Sequence, residues 1–332
     1  MKENKLVTYS IVFIAVVVLA IVFQTFQQVL RPLAIAILLF FLASPVARFS
    51  ESKKIPSWIT FLSIIIVAVF VLSFIGSLIK VDNVNLKEAL PRYQQRLSED
   101  SSGIVSLLSK FGYSPEEFTA EKVGKILGGV AKQALEATRT IFSETLMALI
   151  FLMFIAQSYT VFFKNVEKKH GKQEVERLNN TFKRIETDIV AYFGTKILMS
   201  LGTAIGTGIA LFLFKTQFIG ISLLMVFLLN FIPIIGSLFA VLIIILLYVM
   251  TAGLSSTVGW FFLLLMAVQV FFGSILEPKM AGDKLKMSPL LIILSLYVWG
   301  WIWGIVGMLL SVPLTILVMI IIRHVKQMEQ AA

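Results

Sequence analysis

Apolar residues occur along this chain in long runs separated by short polar segments, a pattern typical of a protein that crosses a membrane several times. Six runs have roughly the length of one crossing: residues 6–23, 32–47, 58–79, 140–163, 192–214 and 256–272. A helix of about 20 residues spans the hydrocarbon core. The pattern therefore predicts an all-α, polytopic integral membrane protein.

Two further apolar stretches, residues 218–250 and 288–322, are too long for one crossing, and each is interrupted near its middle. The first break reads NFIPIIGS and contains Pro233 and Gly236, while the second reads WGWIWGIVG and contains three glycines. We expect each stretch to fold back as a helical hairpin. Broken helices at membrane depth are tolerated where protein or a water-filled cavity satisfies the freed backbone groups, so the breaks indicate a pathway.

The distribution of basic residues predicts how the chain is oriented. Most lysines and arginines of the short segments fall on the side of the N-terminus, while the short connections opposite keep only Arg31 and Lys215. This bias places both termini in the cytoplasm. The stretch 288–322 must then cross twice, which predicts a C-terminal inverted repeat of two span-plus-hairpin units with substrate near the midplane. The alternative is two pairs of thin, tilted spans with ordinary kinks.

The predicted organisation has six parts. They are an N-terminal three-span region (1–80), an extracytoplasmic helical stretch (81–139), a fourth span (140–163), a cytoplasmic amphipathic helix (164–191), a transport core (192–322) and a cytoplasmic tail (323–332). A helix start is expected at Ser114, which precedes Pro115 and a capping-box Glu117. We expect the amphipathic helix either to lie on its own membrane domain or the membrane interface, or to contact another subunit; its apolar positions are Val175, Leu178, Phe182, Ile185 and Ile189.

Composition excludes several classes of function. The chain is 58% hydrophobic with a mean hydropathy of +0.91, and its net charge of +10 follows topology without forming a stripe, so we expect no nucleic-acid partner. The absence of cysteine excludes disulfides, thiolate metal sites and cysteine nucleophiles. The sequence also lacks a phosphate-binding loop and any catalytic constellation. We therefore expect no enzymatic activity, no cofactor and no metal site.

Polar residues inside apolar runs are costly and are therefore candidates for lining a pathway. Asn230, beside the first break, either contacts a polar ligand or ties the break together. Lys196 either snorkels to the interface or pairs with Asp188 or Glu186. Gln157 and Gln269 are interpreted mainly as helix-packing hydrogen bonders.

Further candidates lie next to the breaks. Gly202, Gly206 and Gly208 form a smooth helix face suited to static packing or to sliding. The tryptophans of the second break suit an interfacial belt or stacking on a ligand, and Glu277 gates or caps the last hairpin. The candidate pathway residues are Asn230, Pro233, Gly236, Ser237, Thr195, Lys196, Gln269, Glu277, Trp299, Gly300, Trp303 and Gly304.

Several segments resemble the autoinducer-2 exporter family of bacterial membrane proteins. They are RPLAIAILLFFLASPVARF (31–49), PRYQQRL (91–97), LNFIPIIGSL (229–238), ILEPKMAGDKLKMSPLLIILSL (275–296) and GIVGMLLSVPL (304–314). The resemblance implies a homo-oligomeric transporter in the lipid of the bacterial inner membrane. Family members are associated with export of autoinducer-2, which functions in quorum sensing, and some with sodium or lithium/proton antiport.

Residue chemistry favours one of these activities. Antiport normally needs an ionisable carboxylate within the membrane, whereas Glu144, Asp188 and Glu277 lie at span edges. We therefore expect export of a small polar, autoinducer-2-like solute by secondary or passive alternating access. The alternatives are a sodium or lithium/proton antiporter and, in another class, a non-transporting scaffold for envelope partners.

Overall fold

The computed structural model describes residues 2–53, 55, 59, 63, 66, 70, 73, 120–216, 219–233, 235–253, 255–281 and 287–331. All regular secondary structure in this part of the chain is helical, which confirms the all-α prediction. Most of the predicted third span and residues 81–119 of the extracytoplasmic stretch, including the expected helix start at Ser114, lie outside the described residues.

The described helices follow the apolar runs. In chain order they are α1 (Lys2–Thr25), α2 (Gln27–Ser52), α3 (Ala120–His170), α4 (Lys172–Leu213), α5 (Ile219–Leu229), α6 (Ile235–Ala252), α7 (Ser256–Gln269), a π-helix (Val270–Leu276), α8 (Glu277–Ala281) and α9 (Pro289–Ala331). Among the described residues, five helical stretches are long and apolar enough to cross a membrane: Gln27–Ser50, Ser143–His170, Lys172–Leu213, Ser256–Met280 and Pro289–Ile322. This confirms a polytopic membrane protein.

The predicted amphipathic helix is not a separate element. Helix α3 runs on to His170, and α4 continues without interruption from Lys172 to Leu213. Gly171, whose φ is 84°, breaks the helix between them, since glycine tolerates positive φ. No glycine or proline stands between Ile189 and Tyr192, so the amphipathic segment and the following span form one helix.

Residues 1–65, 141–191 and 285–332 form one compact unit. In this unit, α2 forms ion pairs with two other described helices. The guanidinium of Arg31 lies 3.1 Å from a carboxylate oxygen of Glu144 on α3. Arg48 binds both carboxylate oxygens of Glu186 on α4. Phe182 packs against aromatic rings of its own unit, with centroids 5.6–5.9 Å away; they are Phe41, Tyr159 and Phe163. The amphipathic segment therefore packs against helices of its own unit, while its contact with another subunit remains a prediction.

The second break also lies in this unit, within α9. At Gly304 the backbone leaves the helix, with φ 63° and ψ −142°. The indole of Trp299 donates to the hydroxyl of Thr315 at 3.1 Å, whereas 16 residues of straight helix would span about 24 Å. Beyond the turn, a Cβ at Gly307 would collide with the carbonyl of Trp299. The chain therefore folds back here, as predicted.

The second compact unit comprises residues 66–140 and 192–284. Helices α5 and α6 contact each other across a short turn and form the first hairpin. Its core joins side chains of α4, α5, α6 and α7: Ala210, Leu211, Val226, Ala240, Val241, Ile244, Tyr248, Phe261 and Leu265. The predicted hairpins are thus present in separate units. Their inverted relation remains a prediction.

The glycine face of α4 is a packing surface within this unit. A Cβ at Gly202 would run into the ring of Phe272 on the π-helix, and one at Gly206 would lie 2.9 Å from a methyl group of Val268 on α7. Glycine therefore allows α4 to approach this helix closely. Sliding along the face remains a prediction.

Candidate functional site

A cavity of about 360 Å³, with polar side chains among apolar ones, opens beside the break of the first hairpin. Its lining comes from α4, the turn between α5 and α6, helices α6 and α7, the π-helix and the start of α8: Lys196, Asn230, Ile232, Pro233, Ser237, Leu238, Val241, Met266, Gln269, Val270, Gly273, Ser274 and Glu277. Its volume lies within the usual range for sites that bind small molecules.

Backbone chemistry explains why the first hairpin breaks where it does. Pro233 has no N–H to donate, and the turn bonds its own groups: the amide of Ile232 donates to Leu229 at 2.9 Å and that of Gly236 to Ile232 at 3.2 Å. A Cβ at Gly236 would collide with the carbonyl oxygen of Leu229. Glycine at this position therefore allows the close return of the chain that forms one wall of the cavity.

Lys196 is the cationic residue of the cavity. Its residue is only 6% exposed, and its ammonium group lies 2.5 Å from Glu277 Oε1 and 3.2 Å from the carbonyl oxygen of Asn230. The predictions that Lys196 snorkels or pairs with Asp188 or Glu186 were therefore wrong. Glu186 binds Arg48 instead, and the partner of Lys196 comes from a helix distant in sequence.

Asn230 ties the break together, as one of its two predicted roles requires, while its contact with a ligand remains a prediction. Its side-chain amide donates to the hydroxyl of Ser200 at 3.1 Å, and the residue is 5% exposed. The asparagine thus ties the break to α4 and also lines the cavity. Sequence reasoning missed Ser200, although it stands four residues after Lys196 and hence on the same helix face.

Gln269 is a buried residue of the cavity lining. The residue is 9% exposed, and its side-chain oxygen makes no hydrogen bond with the described residues. That oxygen therefore does not make the predicted helix-packing bond. Gln157, the other predicted packing amide, is exposed on α3.

The helix that carries Gln269 widens directly after it. Residues Val270–Leu276 form a π-helix, a rare conformation that is frequent at functional sites. Three of its residues, Val270, Gly273 and Ser274, join the cavity lining, and Glu277 follows at its end. Sequence reasoning missed Gly273 and Ser274, because no simple residue pattern marks a π-helix.

The remaining candidate residues do not line this cavity. Gly236 closes the turn, and Thr195 lies outside the lining. The four residues of the second break, Trp299, Gly300, Trp303 and Gly304, belong to the other compact unit. There Trp303 is 3% exposed and donates to the carbonyl of Phe23 at 3.0 Å, while Gly300 packs on Met308. These four residues were expected to line the pathway, but they do not line this cavity. The two indoles instead pack and form hydrogen bonds within their own unit.

Comparison with known proteins agrees with this architecture. The sequence model of the family described as AI-2E family transporter matches residues 11–327. The chain belongs to the AI-2E transporter family. This AI-2E family protein is therefore a multi-pass membrane transport protein.

Named relatives support the same assignment. A Borreliella burgdorferi protein is 31% identical over 97% of this chain and 88% of its own length, and a Haemophilus influenzae protein is 27% identical over 91% and 88%; both are named "Putative transport protein". The AI-2 transport protein TqsA of Escherichia coli is 27% identical over 90% of this chain and 86% of its own length. These similarities extend over both compact units of the AI-2E family chain.

Proposed function

We propose that this AI-2E family protein exports a small, polar, uncharged solute such as autoinducer-2 across the bacterial inner membrane by alternating access. The cavity beside Asn230 carries the proposal, since it is large enough for a small molecule and offers polar groups among apolar walls. The name of the Escherichia coli relative, AI-2 transport protein TqsA, supports autoinducer-2 as the solute. The charge bias favours a cytoplasmic position for both termini, and we expect a homo-oligomer.

The charges of the cavity favour an uncharged solute. Lys196 and Glu277 neutralise each other across 2.5 Å, so together they add no net charge to the lining. The other polar side chains are amides and hydroxyls, which bind hydroxyl and carbonyl groups. A small solute with such groups can exchange its hydrogen bonds with water for hydrogen bonds with the wall.

The test is solute flux in sealed vesicles that contain the purified protein. We expect labelled autoinducer-2 to cross faster than in protein-free vesicles, and Asn230→Ala to reduce that flux at least tenfold, because the change detaches the turn from Ser200 and removes an amide from the wall. The matched control is Gln157→Ala, which removes an exposed amide on α3. Unchanged flux in Asn230→Ala would remove this cavity from the pathway.

One observation supports a second function, sodium or lithium/proton antiport. In the sequence, Glu277 and the other candidate carboxylates lie at span edges, which counts against antiport. Glu277 does stand near the end of the stretch Ser256–Met280, yet its side chain lines the cavity and contacts buried Lys196. An ionisable pair in the pathway is what such coupling requires.

Antiport has its own test in proteoliposomes with a preset pH gradient. Addition of sodium or lithium would collapse the gradient in wild-type vesicles and leave it intact in Glu277→Gln vesicles. A gradient that survives cation addition in the wild type would count against antiport and leave solute export unaffected.

A further inference from the structure

The cavity contains one acceptor whose hydrogen bond is missing. Within the described part of the chain, four buried side-chain atoms lack a partner: Arg31 Nε, Glu144 Oε2, the Tyr192 hydroxyl and Gln269 Oε1. Of these four residues, Gln269 is the one that also lines the cavity. Gln269 therefore lines the space where a solute would bind, while its oxygen is buried beneath the surface of that space.

Lys196 and Asn230, which also line the cavity, already have partners within the protein. The ammonium group of Lys196 binds Glu277 and the Asn230 carbonyl, and the Asn230 amide donates to Ser200. The oxygen of Gln269 differs, because it has accepting capacity and no described donor. A buried acceptor left without a donor costs about 1–3 kcal/mol. A group that brings a donor to this oxygen gains that free energy.

Space for such a group is present next to Gln269. Gly273 lies one turn further along the helix, and a Cβ placed there would meet nothing within 4 Å. The π-helix begins at Val270, directly after the glutamine, and carries Gly273 and Ser274 into the lining. The lining is therefore open one turn beyond the glutamine, which leaves room for a solute group.

We infer that Gln269 determines solute specificity by accepting a hydrogen bond from a hydroxyl group of the transported molecule. The inference rests on the proposed export of a small polar solute and adds the residue that recognises one of its hydroxyls. Rotation of the side-chain amide about its terminal torsion, which is broad for glutamine, turns this oxygen toward the cavity, where a solute hydroxyl donates to it. A solute without that hydroxyl leaves the oxygen unpaired.

The experiment compares autoinducer-2 with analogues in which one hydroxyl at a time is replaced by hydrogen. Initial fluxes are measured in vesicles that contain the full-length wild-type protein, Gln269→Met or Gln157→Met. Methionine has nearly the length of glutamine and lacks its strong acceptor. Gln157→Met makes the same change on an exposed surface of α3.

We expect wild-type protein to move autoinducer-2 about ten to a hundred times faster than one of the analogues, because the unpaired acceptor penalises the missing hydroxyl. In Gln269→Met this ratio falls to within about twofold, while Gln157→Met keeps the wild-type ratio. A variant that only damaged the fold would slow all solutes alike and leave the ratio unchanged.

Two results overturn the inference while leaving export intact. One is wild-type flux of autoinducer-2 with equal rates for every analogue, a result that needs no variant. The other is an unchanged ratio in Gln269→Met. If wild-type protein moves neither autoinducer-2 nor its analogues, the proposed function fails first and the inference fails with it.

Discussion

The ammonium group of Lys196 lies 2.5 Å from a carboxylate oxygen of Glu277, and this contact joins α4 to the end of the π-helix. The lysine residue is almost fully buried, while the glutamate side chain is 25% exposed. The pair thus connects the glycine-rich helix with the helix that supplies Gln269. If α4 moved along this helix, the ion pair would have to break, or both side chains would have to move together.

Loss of one member of this pair is expected to destabilise the protein. Glu277→Gln leaves the ammonium group of Lys196 buried without its counter-charge, which costs about 3 kcal/mol for a pair of this kind. Thermal unfolding of the purified protein in detergent measures the loss. The double variant Lys196→Met/Glu277→Gln should regain most of the stability, since no buried charge remains.

Together with the single variant Lys196→Met, these proteins provide a double-mutant cycle for the pair. A coupling free energy of at least about 1 kcal/mol between the two positions is expected for side chains in direct contact. Strictly additive losses in the double variant would show that the pair does not form in the detergent-solubilised protein.

Glycine at the two hairpin turns is expected to be essential. A Cβ at Gly236 would collide with the Leu229 carbonyl, and one at Gly307 with the Trp299 carbonyl. Because backbone atoms cannot rotate away, Gly236→Ala and Gly307→Ala should each cost about 1–3 kcal/mol or more, measured by thermal unfolding. Gly194→Ala is the control, since its Cβ would meet nothing within 4 Å.

An unchanged melting temperature in either turn variant would contradict the hairpin geometry at that break. Gly194→Ala should be neutral or stabilising, because alanine favours an exposed helix by about 0.5–1 kcal/mol over glycine.

A large side chain at Gly273 is expected to block transport without unfolding the protein. Leucine there would project into the open space of the cavity and exclude solute, so autoinducer-2 flux should fall at least tenfold with little change in melting temperature. Gly259→Leu is matched, because Gly259 lies on α7 with open space around it and does not line the cavity. Equal flux in the two variants would place the pathway elsewhere.

Alternating access predicts that the cavity is reached from both sides of the membrane. The chain has no cysteine, so Ser237→Cys introduces a single thiol into the lining without background. A membrane-impermeant thiol reagent should label it from either side of sealed vesicles, more slowly when solute is present. Ser200→Cys is the control, because Ser200 is fully buried.

Labelling of Ser237→Cys from one side alone would contradict alternating access through this cavity. Labelling of Ser200→Cys at the same rate would show that the helices separate enough for the reagent to reach buried positions, so that labelling would not be specific to the cavity.

Local features of the sequence were sufficient to predict most of the described helices, but not the π-helix or the joining of the amphipathic segment to the following span. Apolar runs of span length predicted the helices, and proline and glycine predicted both hairpins, because the backbone chemistry of these residues acts at their own positions. Asn230, Pro233, Ser237, Gln269 and Glu277 were also found from sequence. Each is a polar or helix-breaking residue within or beside an apolar run.

The tertiary structure decided which residues meet. In a membrane protein, the faces that contact lipid and those that contact other helices are both apolar, so hydrophobic periodicity does not identify the neighbours of a helix. The pairing of Lys196 with Glu277, the contact of Asn230 with Ser200 and the packing of the tryptophans away from the cavity therefore depended on helix packing. The unpaired oxygen of Gln269 was likewise visible only once its surroundings were known.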